Sequence, residues 1–418
     1  MKPWWKKMGI IACCILCAGV VLSGIGWALD GKIVTLGDSL PDHSAAAVQR
    51  VFDRLEDFVH LDILDWVDDE VQDSLQQARE DVENAMQRAD DAVQKTMNIS
   101  GTVIPLTLSD EQSQPLSGDI TSVRINVGAD RMKILPGESW ELSYQLFFPE
   151  DLSYEVENGQ LTLSYGWEKG RYYRPDGSEH ITLTVPEDAV LQGVTVEELG
   201  RLLYTTGLHL GKVQVESEDV DVQIESSVLD DVVLEAADAR LRIEDSQLKA
   251  LELDTLDLEL NLNKLTADSI SVDSTDSDAT LRNVTVQGEA AFNTTDLEME
   301  AGSLTAGALS ISASDGSFTV QNANIADTMQ ITGADLDTQF AGSAGGNIRI
   351  DSSEGDAVLS LDGSAQAYNI DLSAGVDSEV AVAGQKVALQ NGQYRKDNGA
   401  GRTIEIDTLG DIQLAFTE

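Results

Sequence analysis

The chain has 418 residues and carries 73 Asp and Glu against 27 Lys and Arg, a formal net charge of -46 at neutral pH. This balance excludes a nucleic-acid-binding protein, whose phosphate contacts require Lys and Arg, and it disfavours a protein that lies flat on an anionic membrane. The cysteines, Cys13, Cys14 and Cys17, all fall in one apolar run, so neither a disulfide framework nor a cysteine metal site is expected in the rest of the chain.

Residues 8–29 form an uncharged, mostly apolar segment. As a helix this segment would be about 33 Å long, enough to cross a hydrocarbon core of roughly 30 Å. Lys2, Lys6 and Lys7 precede it and an acidic segment follows, so the positive-inside rule places residues 1–7 in the cytoplasm and the rest outside. The sequence therefore predicts a single-pass transmembrane helix in the plasma membrane, with an extracytoplasmic C-terminal domain.

Removal of this segment by a signal peptidase is the alternative. Residues 23–26 offer small side chains for a cleavage site, but a signal peptide has a shorter apolar core. Residues 10–13 resemble a lipoprotein box, yet the stretch between Lys7 and Cys13 is too short for a signal core. We therefore expect an uncleaved anchor.

A linker at 30–43 is followed by a predicted amphipathic helical stalk at 44–97. Its second half repeats apolar residues at spacings of four and three, namely Val71, Leu75, Ala78, Val82, Ala85, Ala89 and Ala92. This heptad-like pattern is typical of a helix that packs on another helix. Two interpretations remain open: the stalk self-associates or docks on the next domain, or it is a solvated helix packed on its own domain.

From residue 194 the sequence repeats with a nearly constant period of about 19 residues, which is typical of a stacked-repeat protein. The units begin at Val194, Val213, Val232, Leu251, Ile270, Glu289, Leu309, Met329 and Ile348. Each unit contains short runs in which apolar and polar residues alternate, which is typical of strands with one buried face. Because a unit this short cannot bury its own apolar face, the units must stack on one another.

The predicted fold class is therefore mainly β, a single-stranded parallel-type β-solenoid with rungs of about 19 residues. Residues 194–366 would form the repeats, 98–193 the N-terminal cap with the first strands, and 367–418 the C-terminal cap. An antiparallel sandwich is the alternative, but it would not require a constant period.

Three segments resemble a known family: 181–186 (Ile-Thr-Leu-Thr-Val-Pro), 368–372 (Tyr-Asn-Ile-Asp-Leu) and the closing run at 404–416. Over about residues 119–418 the sequence resembles the putative-adhesin β-strand-repeat family, a domain of unknown function in bacterial membrane-anchored surface proteins. The resemblance implies a solenoid with a role at the cell surface, and the family has no established catalytic residues to carry over.

One acidic residue recurs at the seventh position of most units. The residues are Asp219, Asp238, Asp257, Asp276, Asp315, Asp335 and Glu354, and Asp296 lies one place later in its own unit. In a solenoid they would form a column that either binds a divalent cation such as Ca²⁺ or caps the turns through backbone N–H groups. The column is a weak candidate metal site, and no other cofactor is expected.

The sequence contains one patch that is both basic and aromatic. Its members are Trp167, Arg171, Tyr172, Tyr173 and Arg174, in a predicted loop of the N-terminal cap. Arg and aromatic side chains are enriched at binding hot spots, so these residues are candidates for partner binding.

Two enzymatic interpretations are weak. Residues 37–40 (Gly-Asp-Ser-Leu) and 57–60 (Asp-Phe-Val-His) resemble motifs of GDSL-type esterases, but they lie close together in the chain rather than across an α/β domain, and we take the match as coincidental. Polysaccharide lyases need Lys or Arg at the site, and residues 283–348 contain none. We therefore expect no enzyme.

The expected function is that of a membrane-anchored, adhesin-like scaffold that binds an envelope polymer or a surface protein. The alternative is an envelope-stress sensor that acts through a membrane partner, because residues 1–7 are too few for a cytoplasmic signalling domain. A hydrolase is a distant third.

Overall fold

The computed structural model of the protein describes residues 108–166 and 179–417. Within these ranges the regular structure consists of β-strands and two short 3-10 turns, Pro149–Asp151 and Ala365–Ala367. No helix in them has the length and hydropathy needed to cross a bilayer. The predicted transmembrane helix at 8–29, the linker at 30–43 and the predicted stalk at 44–97 lie outside the described residues.

The strands of the N-terminal region are β1 (Gln112–Pro115), β2 (Ser122–Val127), β3 (Arg131–Gly137), β4 (Glu141–Gln145), β5 (Ser153–Glu157), β6 (Gln160–Tyr165) and β7 (His180–Pro186). Those of the repeats are β8 (Val190–Leu199), β9 (Leu202–Thr206), β10 (His209–Glu225), β11 (Val228–Glu244), β12 (Gln247–Asn263), β13 (Thr266–Arg282), β14 (Val284–Ala301), β15 (Leu304–Ile325), β16 (Met329–Ala344), β17 (Ile348–Ser352) and β18 (Ala357–Asp362). Those of the C-terminal region are β19 (Asn369–Ser373), β20 (Val380–Val382), β21 (Gln385–Lys386), β22 (Gln393–Lys396), β23 (Thr403–Asp407) and β24 (Ile412–Thr417).

Successive repeats pair in parallel and in register, which confirms the predicted β-solenoid and its period. Val194 pairs with Val213, Val213 with Val232, and the same column continues to Leu251 and Ile270. The predicted start at Glu289 is wrong by one residue, because Ile270 pairs with Ala290 across a register shift. The extra residue is absorbed before Ala290, next to Gly288, and Ala290 then pairs with Leu309 as expected.

The core lies between the strand faces and is built from alternating inward residues. In β14 the side chains of Phe292 and Met299 are buried, and small Ala290 and Ala301 are buried in the same rung. Large and small side chains thus alternate within a rung of nearly constant cross-section, which keeps the interior close-packed.

One corner of the rungs is closed by a residue with positive φ. These residues are Gly207 (65°), Ser226 (49°), Asp245 (49°), Lys264 (50°) and Asn283 (55°). At Gly207, Ser226, Asp245 and Lys264 the backbone N–H bonds the next rung, as in Ser226 N to Glu244 O at 2.9 Å and Lys264 N to Arg282 O at 2.8 Å. The corner therefore carries the rung-to-rung ladder around the bend, and these backbone donors are satisfied there.

The two ends of the solenoid depart from chain order in the same way. At the N-terminal end, β2 and β3 lie between β8 and β9 on one side and β6 and β7 on the other, all in parallel. At the C-terminal end, β23 and β24 lie between β17 and β18 on one side and β19 and β20 on the other. Strands β2, β3, β23 and β24 are thus each held inside the stack.

Antiparallel strands cover the outermost rungs. At the N-terminal end β5 pairs with β6, and β4 pairs with β7 and in turn with β1. At the C-terminal end β22 pairs with β19 and β21 with β20. Because these edge strands are short and several of them carry charged side chains, they limit uncontrolled pairing with other strands.

Candidate functional site

The predicted acidic column exists as an in-register feature of the solenoid. Its paired members are Asp219, Asp238, Asp257, Asp276, Asp296, Asp315 and Asp335, and we call this set the acidic ladder. Asp296, which the sequence placed one position late, lies opposite both Asp276 and Asp315, because the bulge before Ala290 corrects the register. The acidic ladder therefore runs without interruption from Asp219 to Asp335.

The acidic ladder faces solvent. Asp257 and Asp276 are half-buried and its other members are exposed. Unit charges about 4.8 Å apart repel by roughly 0.9 kcal/mol in water, and dissolved salt reduces this repulsion. Because the carboxylates are exposed, water and salt keep their mutual repulsion small enough for a continuous column to form.

In the turn that carries the acidic ladder, Ser and Thr hydroxyl groups donate hydrogen bonds to the backbone carbonyls of acidic residues. Thr294 Oγ1 donates to the carbonyl of Asp296 at 2.7 Å and Ser217 Oγ to that of Asp219 at 3.4 Å. Ca²⁺ requires six to eight oxygen ligands, whereas the acidic ladder supplies one carboxylate per rung. Among the described residues, no three Asp, Glu, His or Cys side chains converge closely enough to hold a metal ion. Cation binding by the acidic ladder therefore stays a prediction that requires measurement.

A shallow groove of about 570 Å³ runs beside the acidic ladder over four rungs. It is lined by Asp273, Ser274, Thr275, Asn293, Thr294, Thr295, Ser312, Ala313, Ser314, Thr332, Gly333 and Ala334. We call it the polar groove. Sequence analysis missed it, although the signal is visible as a run of Ser, Thr, Ala and Gly directly before each acidic residue of these units. Small side chains in aligned positions leave room for an extended molecule that crosses successive rungs.

Several cations of the repeats are paired with carboxylates, either across rungs or within one strand. Arg240 lies between Asp221, with Nη1 to Oδ2 at 3.5 Å, and Glu259, with Nε to Oε2 at 2.6 Å. The hydrogen bond to Glu259 raises the pKa of the Arg240 guanidinium above its usual value, and the nearby charge of Asp221 adds to this shift. Arg242 and Glu244 pair at 2.8 Å, which lowers the pKa of the Glu244 carboxyl. These cations are therefore engaged by neighbouring carboxylates.

The predicted partner-binding residues Trp167, Arg171, Tyr172, Tyr173 and Arg174 lie outside the described residues. The two chain segments that flank them are joined to each other. The hydroxyl of buried Tyr165 donates to Glu179, which is 2% exposed and also accepts from the backbone N–H of Phe147 at 2.8 Å.

Burial raises the pKa of Tyr165 above its ordinary value of 10.0, and the Glu179 carboxylate raises it further. The flanks of the predicted loop are thus tied by a buried hydrogen bond. The sequence did not predict this contact, because the two residues belong to no common periodic pattern.

A family model described as Toastrack DUF4097 matches residues 120–296 and 256–415. Among solved structures, a putative adhesin from Parabacteroides distasonis is 12% identical, covers 73% of this chain and 97% of its own, and has a TM-score of 0.37. A putative adhesin from Bacteroides fragilis is 12% identical, with 74% and 99% covered and a TM-score of 0.30. None of the curated proteins compared matches the chain. The family match confirms the resemblance drawn from segments 181–186, 368–372 and 404–416.

Proposed function

The chain belongs to the Toastrack DUF4097 family, and from this premise we propose that it is a non-enzymatic, adhesin-like scaffold that a single membrane helix at 8–29 holds outside the cell. Its solenoid would contact an envelope polymer or a surface protein. The proposed membrane helix is inferred from the apolar segment at 8–29. The extracytoplasmic location of the solenoid is inferred from the Lys residues that precede this segment.

The observation that carries this proposal is the polar groove beside the acidic ladder. Equivalent positions recur at each rung, about 4.8 Å apart, so the groove offers the same small polar groups repeatedly to a ligand that is itself repetitive. A polymer is the kind of partner that can use such a periodic surface.

The charge of the polar groove favours a neutral or cationic polymer. Residues 283–348 contain no Lys or Arg, and the acidic ladder lies beside the groove with Asp296, Asp315 and Asp335. A polymer rich in phosphate or uronate would meet repulsion there, whereas hydroxyl groups and amines find acceptors. The proposed ligand is therefore a hydroxyl- or amine-bearing polymer of the envelope.

The test is retention of the purified full chain on insoluble wall material compared with detergent-extracted membranes. We expect retention on wall material, and Thr295→Arg, which fills the polar groove, should reduce it. Thr305→Arg is the matched control, because Thr305 is exposed on the same solenoid outside the polar groove.

Equal retention of wild type and Thr295→Arg would contradict the groove as the binding surface. Retention on the membrane fraction alone would favour a sensor that acts through a membrane partner.

A further inference from the structure

The outermost strands at the two ends of the described solenoid carry opposite charge. At the N-terminal end the segment 150–157, which includes the outer strand β5, contains four acidic residues and no basic one. At the C-terminal end the segment 385–396, which includes the outer strands β21 and β22, contains three basic residues and no acidic one, and two of the three pair with carboxylates of the same end, Lys386 with Glu379 and Arg395 with Asp371. In a chain with a net charge of -46, this concentration of cations at one end is distinctive.

The outer strands present open edges within the part of the chain that the structure describes. There β5 pairs with β6 alone, and Glu155 and Glu157 are exposed on it. In the same ranges β22 pairs with β19 alone, and Arg395 and Lys396 are exposed on it. An open edge supplies backbone donors and acceptors that another strand can use.

The directions of these two strands are compatible with a continued stack. Strand β5 runs antiparallel to the rung strands through β6, and β22 runs antiparallel to them through β19. If a second solenoid continued the first along the same axis, β22 of one copy and β5 of the next would therefore run parallel. Arg395 would then share the outer face with Glu155 and Glu157, because Val156 and Tyr394 are the partly buried, inward residues of their strands.

Each end is also internally tied, so that it presents a defined surface. At the N-terminal end Tyr154 donates to Gln114 at 2.6 Å and Gln114 donates to Tyr144 at 3.2 Å, which links β5 to β1 and β4. At the C-terminal end the Arg402 guanidinium lies 4.3 Å from the ring centre of Tyr368 and donates to the carbonyl of Ala344 at 2.9 Å. Tied ends lose less conformational entropy on association than frayed ones.

From these observations we infer that copies of this chain associate head to tail, with the acidic outer strand β5 of one solenoid against the basic outer strand β22 of another. The contact is heterologous, so it does not close on itself and allows a series of copies. It goes beyond the proposed binding of an envelope polymer and uses different residues.

The test is sedimentation velocity of the full chain in detergent at about 0.15 M salt, where the Debye length of about 8 Å screens repulsion between the acidic bodies. We expect the mass of the wild type to rise with concentration. Glu155→Lys with Glu157→Lys should weaken association at least about tenfold, as should Gln393→Glu with Lys396→Glu. The second pair leaves the ion pair of Arg395 with Asp371 intact.

Recombining the altered ends gives the decisive comparison. A chain that carries both pairs of substitutions has exchanged its end charges and should regain association, and a mixture of the two singly altered chains should associate while each alone does not. Regained association also shows that the substituted chains are folded. Glu235→Lys with Glu252→Lys, exposed on the rung faces, is the control that matches the charge change and should have no comparable effect.

A wild type that stays monomeric at every concentration would overturn the inference. Association that neither end substitution weakens, or that the control weakens equally, would also overturn it, because the contact would then lie elsewhere on the chain.

Discussion

Asp315 illustrates how a single residue of the acidic ladder is placed. It pairs with Asp296 in the preceding rung and with Asp335 in the next, and all three side chains are exposed. Its two neighbours each repel it by roughly 0.9 kcal/mol in water at low salt. The carboxylate therefore opposes the stacking that positions it.

We expect Asp315→Asn to raise the free energy of unfolding by on the order of 1 kcal/mol at low ionic strength, because the amide keeps the shape and removes both repulsions. The gain should vanish at about 1 M NaCl, where charges are screened within about 3 Å. Urea denaturation at the two salt concentrations measures both values. If Asp315→Asn instead lowers the free energy of unfolding relative to wild type, and the difference is larger when Ca²⁺ is present, the acidic ladder binds cations.

Tyr165 predicts a dependence of stability on alkaline pH. Burial, and then the Glu179 carboxylate, raise the pKa of its phenol above the ordinary 10.0. The unfolded chain therefore loses this proton near pH 10 while the folded chain keeps it, so the contribution is complete below pH 10 and is lost as pH rises toward the folded pKa.

We expect Tyr165→Phe to flatten the fall in stability above about pH 10, in denaturation curves compared with those at about pH 8. At neutral pH the substitution should cost about 1–3 kcal/mol, because buried Glu179 loses a donor. Part of the slope should remain, since burial also raises the pKa of Tyr204 and Tyr368. Tyr154→Phe, at the 39% exposed Tyr154, is the control. An unchanged alkaline slope in Tyr165→Phe would contradict this account.

These two residues differ in how far sequence predicted them. The acidic ladder was predictable because a constant period places equivalent residues side by side. The contact between Tyr165 and Glu179 was not, because the chain between them gives no periodic signal and only the pairing of β6 and β7 with β2 and β3 brings the two together.

At the scale of the element, the corner with positive φ determines how each rung bends. Ser226 has φ of 49°, a conformation that costs an L-residue roughly 1–2 kcal/mol relative to glycine. The equivalent position one rung earlier is Gly207, with φ of 65°. The corner thus tolerates several residue types but favours glycine.

We expect Ser226→Gly to raise the melting temperature, by a gain of roughly 0.5–1 kcal/mol after the greater flexibility of unfolded glycine is subtracted. Ser226→Val should lower it, because a β-branched side chain fits positive φ poorly. Calorimetry of the two variants gives opposite shifts if the corner is as described. Shifts of the same sign would contradict it.

The stretch between Ile270 and Ala290 shows what sequence periodicity does not predict, namely where within a strand an added residue is accommodated. The spacing of the acidic residues Asp276 and Asp296 shows that a residue has been added here, but not where it is accommodated. The structure accommodates it at Gly288, where a Cβ atom would lie 2.9 Å from the carbonyl oxygen of Asp268. A bulge at this point needs a residue without a side chain, and this steric reason becomes visible only once the neighbouring rung is in place.

At the scale of the whole solenoid, the period predicted the stacking but not the order of strands at its ends. Nothing in a local pattern indicates that β2 and β3 are enclosed by β6 and β7, or that β23 and β24 are enclosed by β19 and β20. An enclosed strand is favoured because its backbone N–H and C=O groups form hydrogen bonds on both of its edges, whereas those of an outer strand form them on one edge only. The described chain therefore keeps β2, β3, β23 and β24 away from the open edges, where fraying begins.

Every repeat, whether or not it carries an added residue, advances the solenoid by one rung. Pairs of nitroxide labels, read by pulsed electron spin resonance, test it most directly in a full chain whose Cys13, Cys14 and Cys17 are replaced by Ser. One label at Asp219 and the other at Asp296, Asp315 or Asp335 should give distances of about 19, about 24 and about 29 Å, which increase by about 4.8 Å per rung. Distances that do not increase by a constant step from one of these positions to the next would contradict the in-register stack.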